Sequence, residues 1–267
     1  LNAQNNTTSS NIYTVAIGSD AGKSITTGIE NTIIGARAGD ALTDADFNVV
    51  VGQAALSADT LGSKTVAIGA GALNVQNFTT ATDTFNVAVG HTAGGSVTTG
   101  VENTIIGSLA GDSLTDADYN VAVGYQALGA DVRGSRSTAL GYKTLFAQNF
   151  TTATDSYNTA AGFEALSSVN TGTQNTAFGG LAGNTITTGS QNTMLGYAVQ
   201  ASGGSATRQI VIGSNQSGGG DNTVRIGTVT ATATLSLDGS DTSWAAASDE
   251  RLKTEITNSS VGLSFIN

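Results

Sequence analysis

One short pattern of apolar positions recurs along the chain: a β-branched residue, two apolar residues, then glycine. It reads Val15-Ala16-Ile17-Gly18, Thr32-Ile33-Ile34-Gly35, Val49-Val50-Val51-Gly52 and Val66-Ala67-Ile68-Gly69, and continues through Gly90, Gly107, Gly124, Gly141, Gly162, Gly179, Gly196 and Gly213. Successive glycines are 17 residues apart, except for spacings of 21 before Gly90 and Gly162. Three units of 17 and one of 21 make 72, so Gly18, Gly90 and Gly162 open successive higher-order units. The longer spacer is itself copied, Gln76-Asn77-Phe78-Thr79-Thr80-Ala81-Thr82-Asp83 against Gln148-Asn149-Phe150-Thr151-Thr152-Ala153-Thr154-Asp155. Gln4-Asn5-Asn6-Thr7-Thr8 stands in the same register before Gly18, so the array reaches the first residues. Repetition at a fixed short period is the signature of a solenoid, in which each unit buries its apolar face only against its neighbours.

Each register position has a physical task. The residue three before the glycine is Val, Thr or Ile in all twelve copies, as a pleated strand favours. The two apolar residues that follow predict a strand buried on both sides or nearly so. The glycine suits a corner that needs positive φ or close backbone approach. Asn stands four before it in eight of twelve copies, where a short amide can bond a turn and stack in a ladder. Three after it comes Ala in most early copies (Ala38, Ala55, Ala72, Ala93), followed by Gly or Leu, as in the interior of a narrow coil. Helical periodicity and helix punctuation are missing. The expected fold is therefore all-β, a parallel β-roll or β-solenoid of about twelve 17-residue coils, each with two strands and two turns. At about 4.8 Å per coil the rod would be roughly 60 Å long. So thin a coil predicts association of several chains, sealing apolar faces. Before the C-terminal segment, 228–247 reads as a connector, with period-two alternation from Thr228 to Leu237 marking a strand.

Composition narrows the function classes. The chain has 267 residues, with 35 Gly and no Pro or Cys; 11% are charged, and the formal charge is −10. Absence of Cys excludes disulfides, thiolate metal sites and a Cys nucleophile. One His, His91, leaves no room for a His cluster. The acidic balance, with no Lys or Arg between Lys64 and Arg133, argues against nucleic-acid binding. No apolar run approaches the ~18 residues of a membrane span, so no membrane insertion is expected. The chain opens at Leu1 without a signal-peptide pattern, which is expected of a piece of something longer. No cofactor is expected.

Two resemblances follow. The unit Asn-Thr-Ile-Ile-Gly-x-x-Ala, across roughly residues 13–227, resembles the head repeat of trimeric autotransporter adhesins; the likeness implies a left-handed parallel β-roll assembled as a homotrimer. Ser248-Asp249-Glu250-Arg251-Leu252-Lys253, followed by Ile256 and Val261-Gly262-Leu263-Ser264-Phe265-Ile266-Asn267, resembles the opening of the endosialidase-type intramolecular chaperone (peptidase S74-like) of phage tail fibres, tailspikes and some bacterial adhesive fibres. That likeness implies trimerisation and self-cleavage between Ser248 and Asp249, with residues 248–267 the start of a truncated chaperone domain. The same Ser-Asp also suits a helix N-cap and first turn.

Candidate sites lie on the repeat. The position after the repeat glycine holds His91, and also Tyr125, Tyr142, Phe163 and Tyr197. The His is expected at a coil corner; the four aromatics form a stripe able to stack on sugar rings or to pack against a neighbouring chain. Phe78 and Phe150 sit in the long spacers, whose turns are expected to project, either as binding loops or as plain insertions that decorate the shaft. Asp44 and Asp46, and their copies Asp116 and Asp118, offer calcium or paired-carboxylate geometry. A calcium cage needs six or more oxygens, so turn formation is the preferred reading, and no metal is expected. The expected function is an extracellular trimeric fibre segment, on a phage virion or a bacterial surface, attaching to a cell-surface glycan or other receptor. It is not expected to be an enzyme beyond the single self-cleavage. The alternatives are a purely structural shaft, an ice-binding solenoid and a polysaccharide depolymerase; an ice-binding face wants a regular Thr array, whereas this register alternates Val15, Thr32, Val49, Val66, Val87 and Thr104 without order.

Overall fold

The computed structural model describes residues 13–237 and 245–246, and these are all-β, with no helix among them. Thirteen parallel strands, from Val15–Ile17 to Thr223–Thr228, follow one another in chain order in a single sheet. Equivalent repeat residues pair, as in Val15↔Thr32, Ala16↔Ile33 and Ile17↔Ile34. The same register spans the long units, where Val66 pairs with Val87 and Thr138 with Thr159. The chain is thus a β-solenoid of 17-residue turns, and about 4.8 Å per turn makes it roughly 60 Å long. The Gln4–Thr8 segment lies outside the described residues.

The sheet runs one coil beyond the twelve copies of the pattern. Val224-Arg225-Ile226-Gly227 pairs in register with Ile210–Gly213, fourteen residues earlier, and Arg225 in the middle position breaks the apolar pattern that would have revealed it. The chain then reverses: Ala231–Ser236 runs antiparallel to Thr223–Thr228, with Ala245–Ala246 antiparallel to it in turn. The expected strand from Thr228 to Leu237 is therefore the second arm of a terminal hairpin.

Each coil carries one regular strand where two were expected. Among the described residues, second strands occur only beside the insertions, as Gly62–Ser63 with Thr82–Asp83 and Gly134–Ser135 with Thr154–Asp155. Elsewhere the return path is a chain of turns, because residues at three further register positions adopt the left-handed conformation, among them Phe47, Lys64 and Phe85 at one, Arg37, Ala54 and Gln126 at another, and Leu56, Leu73 and Leu128 at a third. Such conformations cost energy in non-glycine residues. Coil-to-coil hydrogen bonds hold them in place, for example Phe47 N–H to the Ile29 carbonyl (3.1 Å) and Gln126 N–H to that of Ser108 (3.2 Å).

The repeat glycine takes the role expected of it. At Gly107 φ is +132°, and an added Cβ would stand 2.5 Å from the carbonyl oxygen of Gly124 on the next coil. No side chain fits that column. The Asn column is equally specific. Asn103 donates from Nδ2 to the carbonyl of Ala117 (2.8 Å), while its Oδ1 accepts the backbone N–H of Asn120 (2.9 Å). Asn31, Asn48, Asn86, Asn120, Asn158, Asn175 and Asn192 repeat the donation to the carbonyl fourteen residues on, so a buried backbone acceptor is satisfied at every such coil.

The core is closed within one chain. The middle strand residue (Ile33, Val50, Ala67, Ile105) and the Ala after the corner (Ala38, Ala55, Ala72, Ala110) are fully buried. Four and seven residues after the repeat glycine, two filling schemes exchange. Where the first position is Gly, the second is large and apolar: Gly22 with Ile25, Gly39 with Leu42, Gly111 with Leu114, Gly183 with Ile186. Where the first is Leu, it fills that space itself, and the second is polar and buried in four coils, Leu56 with Asp59, Leu73 with Gln76, Leu128 with Asp131 and Leu145 with Gln148, and the small apolar Val169 in a fifth, with Leu166. Each such apolar side chain contributes about 2 kcal/mol by burial. Coil thinness therefore gives no reason for association. The strands are also buried on one side only. Their first and third residues face outward, leaving Val15, Ile17, Ile34, Ile106, Leu140, Phe178 and Leu195 exposed.

Candidate functional site

The outward sheet face is flanked by two columns of aromatic residues, each produced by the in-register stacking of one repeat position. In the column after the repeat glycine, Tyr125 and Tyr142 stack with centroids 5.6 Å apart and planes at 16°, and Tyr142 and Phe163 at 5.2 Å and 4°. Tyr197 belongs to the same column but is separated from Phe163 by Gly180. The structure thus brings Tyr125, Tyr142 and Phe163 together as a face-to-face ladder, and sets Tyr197 two coils away from Phe163. Stacking uses ring faces: both faces of Tyr142 are occupied by its neighbours. Free faces remain on Tyr125, on Phe163 toward Gly180, and on Tyr197. His91 lies earlier in this column, exposed, beside Thr92.

The second column stands five residues before the repeat glycine and was not picked out from the sequence. It reads Tyr13, Glu30, Phe47, Lys64, Phe85, Glu102, Tyr119, Arg136, Tyr157, alternating aromatic and charged, with Phe47, Phe85, Tyr119 and Tyr157 exposed. Lys64 sits 5.3 Å from the centroid of the Phe85 ring and Arg136 4.6 Å from that of Tyr119. Both cations also pair with insertion-loop carboxylates, Lys64 with Asp83 and Arg136 with Asp155. The Asp155 carboxylate raises the Arg136 pKa above its ordinary value. Strict alternation at one register was the signal available in the sequence.

The insertion loops divide into a buried foot and an exposed tip. Thr79, Thr80 and Ala81 are exposed, as are Thr151, Thr152 and Ala153. Phe78 and Phe150 do not project with them: at 8% and 7% exposure they are buried, which withdraws them as ligand contacts. Beneath them lies a buried polar cluster. Asp59 accepts the N–H groups of Gly62 (3.1 Å) and Phe78 (3.0 Å) on one oxygen and the Gln76 amide (2.7 Å) on the other. Gln76 also donates to Thr65 Oγ1 and accepts from Asn86, and Thr65 meets Thr84 at 2.7 Å. Asp131, Gln148, Ser137, Ser156 and Asn158 rebuild the cluster in the next copy. Burial pushes the Asp59 and Asp131 carboxyls above the usual range, against the opposing pull of these donors.

The carboxylates singled out from sequence are occupied by the repeat itself. Asp46 accepts the N–H of Ile29 (2.7 Å), and Asp118 that of Val101 (2.8 Å), both one coil back. Asp44 accepts from the Thr27 hydroxyl, and Asp116 pairs with Arg133 at 3.2 Å. Among the described residues no group of three or more His, Cys, Asp or Glu is placed to hold a metal ion, and no helix is long and apolar enough to cross a membrane. Ser248 and Asp249, with the whole 248–267 segment, lie outside the described residues. No protein family, no curated protein and no solved structure matches this chain.

Proposed function

We propose that the chain is a segment of an extracellular trimeric fibre, on a phage virion or a bacterial surface, that attaches to a cell-surface glycan. What carries this reading is the outward sheet face: a straight row of exposed aliphatic side chains, among them Ile17, Ile34, Ile106, Leu140 and Leu195, flanked by two aromatic columns on a stiff rod. An apolar surface this long and continuous is uncommon on a chain that acts alone and typically marks a place of association. Three copies meeting through the aliphatic rows would cover them and leave aromatic and loop positions outside. Shallow sites repeated along such a rod, and threefold around it, add by multivalency. The resemblance of Ser248-Asp249-Glu250-Arg251-Leu252-Lys253 to the chaperone junction supports maturation by cleavage between Ser248 and Asp249. A shaft that carries recognition elsewhere is the second reading, favoured by the way Asp44, Asp46, Asp116 and Asp118 are consumed in repeat hydrogen bonds. Adsorption of the labelled chain to bacterial cells, before and after enzymatic removal of their surface polysaccharide, tests attachment: loss on removal supports it, and no adsorption to any polysaccharide-bearing cell leaves the shaft.

A further inference from the structure

The aromatic ladder has one missing rung, and we infer that the gap over Gly180, between Phe163 and Tyr197, is a clamp for a single neutral pyranose ring. This inference rests on the attachment reading and locates its binding site. Inside the ladder both faces of Tyr142 are covered by neighbouring rings, whereas here two aromatic residues, 53% and 58% exposed, flank a residue without a side chain. Two coil steps separate them, about 10 Å. A ring seated over Gly180 would continue the ladder at the pitch of 5.2–5.6 Å that Tyr125, Tyr142 and Phe163 already show. Tyr142 shows that one ring fills this pitch, and a pyranose, with axial C–H groups to lay on both aromatic faces, is the occupant that accords with glycan attachment. The floor of the gap is defined: a Cβ on Gly180 would lie 3.5 Å and 3.7 Å from two Tyr197 ring carbons, ordinary contact, and meet nothing else. Phe178 stands on the same coil two residues earlier, with its ring exposed.

Charge selects the class of sugar. Between residues 163 and 200 the only charged side chain is Glu164, and no Lys or Arg is present to pair with an acidic sugar. The chain as a whole carries −10. A uronic or sialic acid would be repelled, while neutral hexoses meet aromatic faces and backbone.

Gly180 supplies an unusual test, because the residue is not in the left-handed region and its Cβ position is open, so Gly180→Phe fills the gap without disturbing the coil. The full chain is titrated with maltohexaose, cellohexaose and a linear hexamannoside, with adenosine as the flat-ring probe, following tyrosine fluorescence and amide shifts. At least one neutral hexasaccharide should bind. Gly180→Phe and Tyr197→Ala should each weaken it about tenfold or more, while Tyr125→Ala, at the far end of the ladder, changes it less than about twofold. Equal binding by Gly180→Phe, no binding of any hexasaccharide, or preference for adenosine overturns the clamp. The same variants in the cell-adsorption assay separate the two readings. Adsorption that survives Gly180→Phe removes the clamp and leaves attachment standing; a wild-type chain that never adsorbs removes both.

Discussion

Gln76 donates a 2.7 Å hydrogen bond from its side-chain amide to the buried carboxylate of Asp59, seventeen residues earlier and one coil back. Both belong to coils in which Leu56 and Leu73 fill the apolar space, which frees the position three residues later for a polar group. At the foot of the loop that polar group does what the Asn column does elsewhere, satisfying the N–H groups of Gly62 and Phe78 where the longer turn departs. The four inserted residues thus come with their own internal support.

Asp59→Ala leaves the buried N–H groups of Gly62 and Phe78 without this acceptor and removes one of the two acceptors of the Gln76 amide, and should destabilise the array by about 2 kcal/mol in denaturant unfolding. The Asp131→Ala variant should behave alike, because its cluster has the same partners.

The same carboxyls give the protein a defined acid response. Their folded pKa values are raised by burial above the ordinary 3.8, so the folded state holds these protons more tightly than the unfolded chain. Their contribution to stability is complete below about 3.8 and declines as pH rises through the raised folded values. Thermal unfolding of wild type compared with Asp59→Asn/Asp131→Asn across this window should show a downward slope with pH in the wild type that is flatter in the variant. Parallel slopes would mean that the two groups do not titrate with folding.

Gly107 and Gly180 make a paired test of stacking. Gly107→Ala puts a methyl 2.5 Å from the Gly124 carbonyl oxygen at φ +132°, and should cost about 3 kcal/mol or more. Gly180→Ala meets only ordinary contacts and should change stability by less than about 0.5 kcal/mol. Chemical denaturation of both variants reads the difference.

Leu at the first position should be tolerated only with a smaller or polar residue at the second, as in Leu166 with Val169 and Leu128 with Asp131. Gly111→Leu places a Cβ 2.9 Å from the Leu114 side chain and should destabilise by about 2 kcal/mol through overpacking. Adding Leu114→Ala should recover much of that loss, since Leu128 and Leu145 already occupy the equivalent position at φ near +50°. Leu114→Ala alone leaves a cavity and should cost about 3 kcal/mol. A double variant no better than the sum of the singles would break the proposed exchange.

The fold was legible in the sequence because stacking copies each position: the β-branched strand, the corner glycine and the Asn column are all visible as columns once the 17-residue ruler is laid down. Less visible was anything that depends on direction. The third strand residue (Ile17, Ile34, Leu140) is apolar like the second, yet faces outward, and composition alone does not distinguish the two. Phe78 and Phe150 resembled projecting loop aromatics because an inserted residue can turn either way, and only the Asp59 and Asp131 clusters decide that it turns in. Those two Asp were overlooked because in the linear pattern they replace apolar residues such as Leu42 and Leu114. The second strand was over-predicted, because left-handed Phe47, Arg37 and their equivalents make turns that no glycine announces. The stripe of Tyr125, Tyr142 and Phe163 is visible as a register, but that its rings cover one another is not.

In a trimeric fibre the outward face would be covered by two further copies of the chain. Mass measured under native conditions on the purified chain at micromolar concentration tests this most directly. A species of three times the chain mass, converted to single chains by Ile34→Glu/Ile106→Glu on that face, is the expected result. A stable single chain at all concentrations, with Ile34 and Ile106 tolerant of charge, would contradict the trimeric fibre.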